Sequence, residues 1–520
     1  MGICLSGKKV TIKDLTRVLD HVSPHQTPWL ENFERHEKDF FLDPRLPKCY
    51  SYFAQFPRDS EIASRRLVAL WVAEGVVQKK DNKQEPLESV AIAKKFLKEL
   101  IRRNLVQVGE RKQNGKVRTC IFPGTLRELW LREKTISDFD VYVIDSTDST
   151  MQANKNPRSI LCFDTQEGTG EDVGILLRNR IASGHFLQVK VLDLEQVCRP
   201  QLPDTIGKLI QLTYLGLRWT YLENIPSSIG NLVNLETLDV NHTYIRTLPS
   251  TIGKLQKLQN LCMSEICRGK IGQGRNEKFP PNLQILRGAF LDMKSFGSGG
   301  YMLIPHKDCP MKHFLSGLKN LRRLELAFQI DLSQQKQLTD SFAVELKDLR
   351  TLMLKSIDEM PRPQDLHVNH LSGLVNLSSI YLFGKLKNPS VIINVTGLPQ
   401  SLTELTLSAS GISDDPMPEL EKLSKLKSLY FYSGSYIGKT MVCSMGGFTR
   451  LEVLKFWMLH ELEEWIVEEQ AMWRLKKLEI RSCKNLKVST GLKHLKTIRE
   501  LKVKDMPVEF TKGIHEIIPF

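Results

Sequence analysis

The chain lacks the features of a membrane-spanning, secreted or disulfide-stapled protein. It has no run of about eighteen apolar residues, which a membrane-crossing helix would need, and its first residues contain no continuous apolar signal core. The ten cysteines include no Cys-x-x-Cys pair, which argues against zinc and for reduced thiols in a cytosolic compartment. No paired-carboxylate, Cys/His or Ser/His/Asp grouping occurs at motif spacing, so we predict neither an enzyme nor a metal site.

Positive charge is the strongest bias of the composition. Lys and Arg total 73 against 59 Asp and Glu, a formal net charge of +14. Such a balance is typical of proteins that bind nucleic acid or acidic membranes. Because the basic residues are spread along the chain without a long Lys/Arg run, we expect no nucleic-acid partner. A basic nucleic-acid-binding adaptor stays as an alternative.

An L-x-x-L-x-L pattern organises the chain from about residue 187 to its end. The first three intervals are 23 residues each, which is the period of a leucine-rich repeat. Alternate apolar residues of a short strand, such as Leu215 and Leu217, should point into the core. One repeat cannot bury its own apolar face, so neighbouring repeats must stack. The first apolar position falls at Val189, Leu212, Leu235, Leu258, Leu283, Leu321, Leu349, Leu377, Leu402, Leu426, Leu451, Leu475 and Ile498.

The repeats predict an α/β fold in which a leucine-rich-repeat solenoid carries a curved parallel sheet. Only the interval from Leu283 to Leu321 is much longer than the others. The intervening segment, residues 288–314, should hold an insertion loop or one irregular repeat. Its Gly-rich centre at residues 297–300 favours a loop.

Residues between and after the inward leucines should line the concave face of the sheet. Aromatic and arginine side chains exposed on one surface are typical of a protein-binding patch. We therefore predict that this face binds a protein, although single aromatics could instead cover the edges of repeats. The predicted contact residues are Tyr214, Arg218, Asp239, Arg323, Tyr381, Phe383, Tyr430, Tyr432, Lys455, Trp457, Lys477 and Arg481.

A smaller region precedes the repeats. Apolar residues at helical spacing predict one helix in "EIASRRLVALWVAEGVV", ending near Gly75, and a second in "ESVAIAKKFLKELIRRN". The following "LVQVGERKQNGKVRTCIF" alternates into a two-stranded hairpin that turns at residues 114–115. Helices followed by a hairpin indicate a small α+β winged-helix domain. Arg65-Arg66 or Lys94-Lys95 could contact DNA phosphates, but we favour solvated faces of a packing module.

Three strings resemble plant intracellular disease-resistance proteins of the nucleotide-binding, leucine-rich-repeat class, and most closely their coiled-coil branch. They are "CYSYFAQFPRDSEIASRRLVALWVAEGVV", "FLKELIRRNLVQVGERKQNGKVRTC" and "LPDTIGKLIQLTYLGLRWTYLENIPSSIGNLVNLETLDV". The resemblance implies a winged helix that belongs to a nucleotide switch (NB-ARC) module and packs against bound ADP. It also implies repeats that sense a pathogen effector or a guarded host protein and hold the switch off.

The sequence departs from that family at its nucleotide-binding motifs. The phosphate loop G-x-x-x-x-G-K-[ST] is missing; the nearest string, residues 434–440, has too few residues between its glycines and should be a repeat loop. The family's His-Asp pair corresponds here to Pro123 and Gly124, whose side chains cannot bond a phosphate oxygen. We therefore expect no cofactor for this chain, although full-length family members bind ADP or ATP.

The resemblance divides the chain into four parts. Residues 1–41 correspond to a remnant of the nucleotide-binding (ARC) region, 42–135 to the winged helix, 136–185 to a linker and cap, and 186–520 to the repeats. The implied function is a non-enzymatic, cytoplasmic defence receptor or receptor fragment, N-terminally truncated, whose own nucleotide binding is lost. The alternative is a truncated decoy, a regulator that binds a full-length relative, or a non-functional copy.

The opening string "MGICLSGKKV" has two interpretations. Gly2 and Ser6 fit a myristoylation pattern with Cys4 as a second acyl site, which would place the protein peripherally on the plasma membrane. The string also resembles the family's internal "G-G-L-L-S-x-K" segment, which needs no anchor. We favour the second interpretation.

Mass spectrometry of the N-terminal peptide checks this choice. We expect an unmodified Gly2, because the string then descends from an internal segment. A myristoyl adduct on Gly2 in plant-expressed protein would contradict the interpretation.

Overall fold

The structure, a computed structural model, describes residues 43, 45–77, 86–111, 116–124, 140–144, 156–265, 267–271, 279–292, 315, 317–369, 371–488 and 490–517. The described residues form two compact units. The first comprises those up to Pro200 together with Lys208–Gly216, and the second comprises Gln201–Gly207 and those from Leu217 onward. The opening string with Gly2 and Cys4 lies outside the described residues.

The first unit combines the winged-helix region with the first repeat strands. Its helices are α1 (Leu46–Ser51), α2 (Ser64–Ala73), α3 (Pro86–Arg102) and α4 (Thr169–Ala182), with a 3-10 turn at Tyr52–Gln55. Its strands are β1 (Glu61–Ala63), β2 (Gln107–Val108), β3 (Thr119–Ile121), β4 (Val141–Ile144), β5 (Ser159–Cys162), β6 (Val191–Asp193) and β7 (Tyr214–Gly216).

Both predicted helices of the winged-helix region are present as α2 and α3. Helix α2 ends where Gly75 takes a positive φ of 72°, which allows the Val76 amide to bond back to the Trp71 carbonyl. The first residues of the predicted helix, Glu61–Ala63, instead form β1, which pairs with β3. The sheet therefore has three antiparallel strands in the order β1-β3-β2, one more than predicted, and residues 114–115 lie outside the described part.

Aromatic rings fill the core between α1, α2 and β3. Phe53 contacts Trp71 edge to face at 5.8 Å and Phe122 at 5.4 Å between ring centroids. Ala93 and Leu100 of α3 are fully buried against the same core. This apolar cluster explains why the helices and the small sheet form one module.

Two parallel strands precede the first predicted repeat. Strands β4 and β5 lie in the segment that we assigned to a linker and cap, and β5 pairs with β6. Strand β6 pairs in turn with β7. These four strands group with the winged helix in one unit, beyond the domain boundary expected near residue 186, because the winged helix packs on their sheet.

The second unit is the remainder of the solenoid. Its main strands are β8 (Thr237–Asp239), β10 (Asn260–Cys262), β12 (Ile285–Asp292), β13 (Arg323–Gln329), β14 (Thr351–Ser356), β16 (Ser379–Phe383), β18 (Glu404–Ser408), β19 (Ser428–Tyr432), β21 (Val453–Trp457), β23 (Lys477–Arg481) and β24 (Glu500–Lys504). Short parallel pairs join β9 (Thr247–Leu248) to β11 (Lys270–Ile271), β15 (Asp365–Leu366) to β17 (Lys385–Leu386), and β20 (Thr440–Cys443) to β22 (Glu464–Val467). Its helices are α5 (Leu332–Glu345), α6 (Ser390–Ile393), α7 (Met417–Leu420) and α8 (Val508–Ile517). Single 3-10 turns occur at Ser227–Asn231, Ser250–Lys254, Val395–Gly397 and Thr490–His494.

The repeat register matches the sequence pattern at every predicted position. Each main strand of the repeats from Val189 onward begins two residues after the first apolar position; β8 starts at Thr237, after Leu235. The inward leucines are fully buried, as at Leu215, Leu217 and Leu238. The predicted fold class is confirmed.

The long interval begins differently from the prediction. Strand β12 continues through Asp292, so residues 288–292 belong to the sheet. Gly288 makes this possible: with a φ of 68° it sits where the register shifts between Leu286 and Ala289, and a Cβ there would lie 2.3 Å from the Met263 carbonyl oxygen. Residues 297–300 lie outside the described part.

Residues 434–440 form a repeat loop, as predicted. The Tyr436 hydroxyl donates a hydrogen bond to the Thr440 carbonyl at 2.5 Å, and Thr440 begins strand β20. A phosphate loop would need a helix N-terminus at that position.

Among the described residues, no helix is both long and apolar enough to cross a bilayer. All eight described cysteines are free thiols. Burial raises the pKa of Cys120, Cys262 and Cys443 to about 12, which makes these thiols poor nucleophiles.

Candidate partner-binding surface

Two columns of side chains run across the concave face of the second unit. In-register pairing of β16, β18, β19, β21 and β23 places Tyr381, Thr406, Tyr430, Lys455 and Glu479 side by side. A second column, two residues further along each strand, contains Phe383, Ser408, Tyr432, Trp457 and Arg481. Because side chains alternate between sheet faces, both columns lie opposite the leucine core.

An aromatic patch occupies the centre of these columns, defined by Tyr381, Tyr430, Tyr432 and Trp457. The rings of Tyr430 and Tyr432 stack with centroids 6.0 Å apart, and Tyr432 lies 4.8 Å from the Trp457 ring. Burial raises the pKa of each of the three tyrosines, so their hydroxyls stay neutral donors near pH 7.

Lys455 and Tyr430 are only 3% and 5% exposed, so they support the patch from beneath rather than line its open surface, which corrects their assignment as contact residues. Lys455 Nζ lies 5.8 Å from the Tyr430 ring centroid and 5.3 Å from that of Trp457, and 2.7 Å from Glu479 Oε2. Arg481 covers the Trp457 ring at 5.7 Å. Fixed aromatic side chains of this kind lose little entropy when a partner binds, which favours them as binding anchors.

The other predicted contact residues are engaged in ion pairs along the same sheet. Arg218 pairs with Asp239 at 3.8 Å, and Arg323 pairs with Glu325, which also accepts from Arg287 at 2.9 Å. Lys477 pairs with Glu500, and Arg481 Nε lies 3.2 Å from Asp505. These residues line the face, but the structure brings only the β16–β23 group into one patch.

Tyr214 does not belong to an open surface, which corrects its assignment as a contact residue. It is 2% exposed and shares a core cluster with Leu161, Val191 and the winged-helix aromatics. The winged helix covers the concave face of the first repeats, so Tyr214 is closed off, whereas Ser428, which begins β19 at the equivalent repeat position, is partly exposed.

A buried ion cluster fixes the winged helix on that face. Arg66 Nε of α2 lies 2.6 Å from Asp193 Oδ2 and 3.9 Å from Glu195 Oε2. The Arg66 guanidinium also lies over the rings of Phe56 and Phe163, at 5.9 and 5.2 Å. Burial raises the pKa of Asp193, so the nearby arginine is needed to keep its carboxylate charged.

Two further polar contacts flank the cluster. Arg65 pairs with Glu195, and Ser159 donates to Glu74, whose pKa is raised by burial. Arg65 and Arg66 are therefore neither DNA contacts nor parts of a solvated helix face, because both point into the first repeats. Gly216 is required beside them, since a Cβ there would lie 2.6 Å from Asp193 Oδ1.

Sequence reasoning missed several residues of both regions. Thr406, Ser408 and Glu479 occupy the same repeat positions as the aromatic patch, so the repeat register alone could have identified them. Asp193 and Arg66 carried no such signal, because their pairing depends on how two sequence-distant modules pack.

Pro123 and Gly124 sit at the end of the winged-helix sheet. The Gly124 amide donates to Asp59 Oδ1 at 2.8 Å, and a Cβ at Gly124 would lie 2.8 Å from Arg58 Nε and 2.9 Å from Asp59 Oδ2. A carboxylate therefore occupies the space next to this position. Elsewhere, the described part of the chain holds no cluster of three or more His, Cys, Asp or Glu suited to a metal ion.

Sheet, register and winged helix together define a leucine-rich-repeat protein that carries a winged-helix domain. A leucine-rich repeat region matches the family profile over residues 178–512, and a disease-resistance-protein winged-helix domain matches over residues 56–130. The chain belongs to the leucine-rich-repeat family and carries a winged-helix domain of the disease-resistance type, which confirms the resemblance seen in the sequence.

Relatives from Arabidopsis thaliana align with nearly the whole chain. Disease susceptibility protein LOV1 is 30% identical over 96% of this chain and 56% of its own length. Probable disease resistance RPP8-like protein 2 is 29% identical over 91% and 52%, and disease resistance protein RPP8 is 26% identical over 98% and 56%. The chain thus spans about half the length of the curated relatives it matches.

Solved leucine-rich-repeat structures are also similar. The protein LIC12759 of Leptospira interrogans has a TM-score of 0.38 at 17% identity, covering 70% of this chain and 89% of its own.

Substitution of Arg66 tests the ion cluster. We expect Arg66→Met to destabilise the first unit by about 3–5 kcal/mol, because Asp193 is left buried without a cation. The double variant Arg66→Met/Asp193→Leu should recover much of that loss, since both charges are then gone. Hydrogen exchange of the α2 amides reports the change, with Arg102→Met as an exposed control; equal protection in Arg66→Met and the control would contradict the assignment.

Proposed function

We propose that this protein is a non-enzymatic plant defence receptor whose repeats bind a pathogen effector or a guarded host protein in the cytoplasm. The observation that carries the proposal is the aromatic patch, in a chain whose winged-helix domain is of the disease-resistance type. It offers rigid rings flanked by cations on the one sheet face that the leucine core leaves free. Such a surface suits protein recognition better than catalysis.

The aromatic patch and the polar Arg481 beside it would make different kinds of contact with a partner. Trp457 and Tyr432 offer apolar ring faces, and Arg481 offers hydrogen bonds beside them. A partner segment lying across β16–β23 could bury the rings while the guanidinium fixes its direction. Hot spots in protein interfaces have this composition.

Replacing the central rings tests partner binding. We expect Tyr432→Ser/Trp457→Ser to lose affinity for the partner by about tenfold or more, because the anchors are removed. The measurement is quantitative affinity capture from pathogen-challenged leaf extracts, followed by binding of the purified candidate. The matched control is Tyr244→Ser/Val375→Ser, two exposed hydrophobic residues outside the patch.

The result distinguishes binding through the concave face from binding elsewhere on the surface. A protein retained by the wild type and the control but lost from the patch variant supports the proposal. Retention of the same proteins by both variants would contradict it, provided that circular dichroism shows both variants folded.

We also propose that the chain binds nucleotide weakly or not at all. The Gly124 amide is already donated to Asp59 and Pro123 has no amide hydrogen, so neither backbone position has a free donor for a phosphate. The winged helix would then serve to hold the first repeats rather than to sense ADP.

A titration with fluorescent ADP checks this part of the proposal. We expect no saturable binding in the micromolar range, with an ADP-binding NTPase as the positive control. Saturable micromolar binding by the purified chain would contradict it.

A further inference from the structure

A row of exposed cations runs along the edge of the sheet where the last repeat strands begin. We call it the basic ridge, and its members precede strands β19, β21, β23 and β24. They are Lys425, Lys427, Arg450, Arg474, Lys496 and Arg499, all exposed.

Backbone hydrogen bonds show that the four strands carrying the ridge lie side by side, with Glu452 at the position that Lys427 and Arg499 hold in their own repeats. The Glu452 amide donates to the Lys427 carbonyl at 2.8 Å, the Lys476 amide to Glu452 at 2.9 Å, and the Arg499 amide to Lys476 at 2.8 Å. Adjacent strands lie about 4.8 Å apart, so four successive repeats give a ridge roughly 14 Å long.

The positive charge of the ridge is largely uncompensated. Lys476 pairs with Glu452, and Lys477 pairs with Glu500. Among the described residues no carboxylate forms an ion pair with any of the six ridge members. A hydrogen bond from Lys476 lowers the pKa of Glu452, and the charges of Lys476, Lys427 and Arg474 add to that shift because all three lie near the carboxylate.

The ridge begins abruptly after two neutral repeats, although Arg322 and Arg350 hold one of its positions in the two repeats before those. In the two neutral repeats, the corresponding positions hold Asn376, Ser378, Ser401 and Thr403. The Lys427 amide donates to the Thr403 carbonyl at 2.9 Å, so the change from neutral to basic occurs between two adjacent strands. A repeat needs no such cations to fold.

We propose that the basic ridge docks an acidic, extended segment of a partner protein. Its length matches about five residues of extended chain, whose side chains on one face could meet three or more cations. Trp473, 48% exposed with Arg474 over its ring at 4.3 Å, adds an apolar contact beside the ridge. The inference rests on the proposed receptor function, because Lys427 immediately precedes β19, the strand that carries Tyr432 of the patch about 17 Å further along.

A protein segment fits this surface better than a uniform polyanion. Glu452 and Glu500 lie within the ridge, and Glu479 lies two residues beyond Lys477 on the concave face. Nucleic-acid phosphates crossing from the ridge to the aromatic patch would meet these carboxylates. A polypeptide can place its acidic residues over the cations and neutral or basic residues over the carboxylates.

The test uses a short fluorescein-labelled peptide of alternating Glu and Ala with the full chain. We expect Lys427→Glu/Arg474→Glu/Arg499→Glu to lower peptide affinity on the order of tenfold or more and to flatten its salt dependence. The matched control, Lys319→Glu/Lys336→Glu/Lys347→Glu, changes net charge equally on exposed positions outside the ridge. It should bind within about twofold of the wild type.

Three outcomes would overturn the inference. One is equal peptide binding by the ridge variant and the wild type. The others are ridge-dependent binding to phosphatidylserine vesicles or to single-stranded DNA that exceeds peptide binding. Failure of the ridge leaves the Tyr432/Trp457 test untouched, because that double variant keeps all six ridge cations.

Discussion

Burial of the repeat leucines is the constraint on which the rest of the structure depends. Leu238, Leu382 and Leu454 are all fully buried, and each can be so only because the next repeat stacks against it. The strand residues between them are thereby forced onto the opposite face of the sheet. The residues available for contacts with other groups are therefore those on the sheet face opposite the leucine core.

That opposite face is covered in the first unit and partly exposed in the second. In the first unit it is closed, because the winged helix lies on it and Arg66 pairs with Asp193 beneath the surface. In the second unit that face carries Tyr432 and Trp457, both partly exposed. The same sheet face thus forms an internal contact in the first unit and a partly exposed aromatic patch in the second.

The register of the repeats was predictable from sequence because leucine burial imposes a fixed spacing on every repeat. The winged-helix helices were predictable for the same kind of reason, an apolar stripe of period 3.6. The strand Glu61–Ala63 was not, since its three residues find their partner in β3, far along the chain. Nor was the burial of Tyr214, which looks like any concave aromatic until the packing of another module is known. Contacts between residues far apart in the sequence produce no periodic pattern from which they could be predicted.

Hydroxyl-radical footprinting of aromatic side chains tests most directly whether the concave face is closed in one unit and open in the other. Trp219 and Trp473, 42% and 48% exposed, serve as internal standards. The account predicts that Tyr214 is protected while Tyr432 and Trp457 are labelled at rates closer to the standards. Labelling of Tyr214 as fast as that of Tyr432 would contradict it.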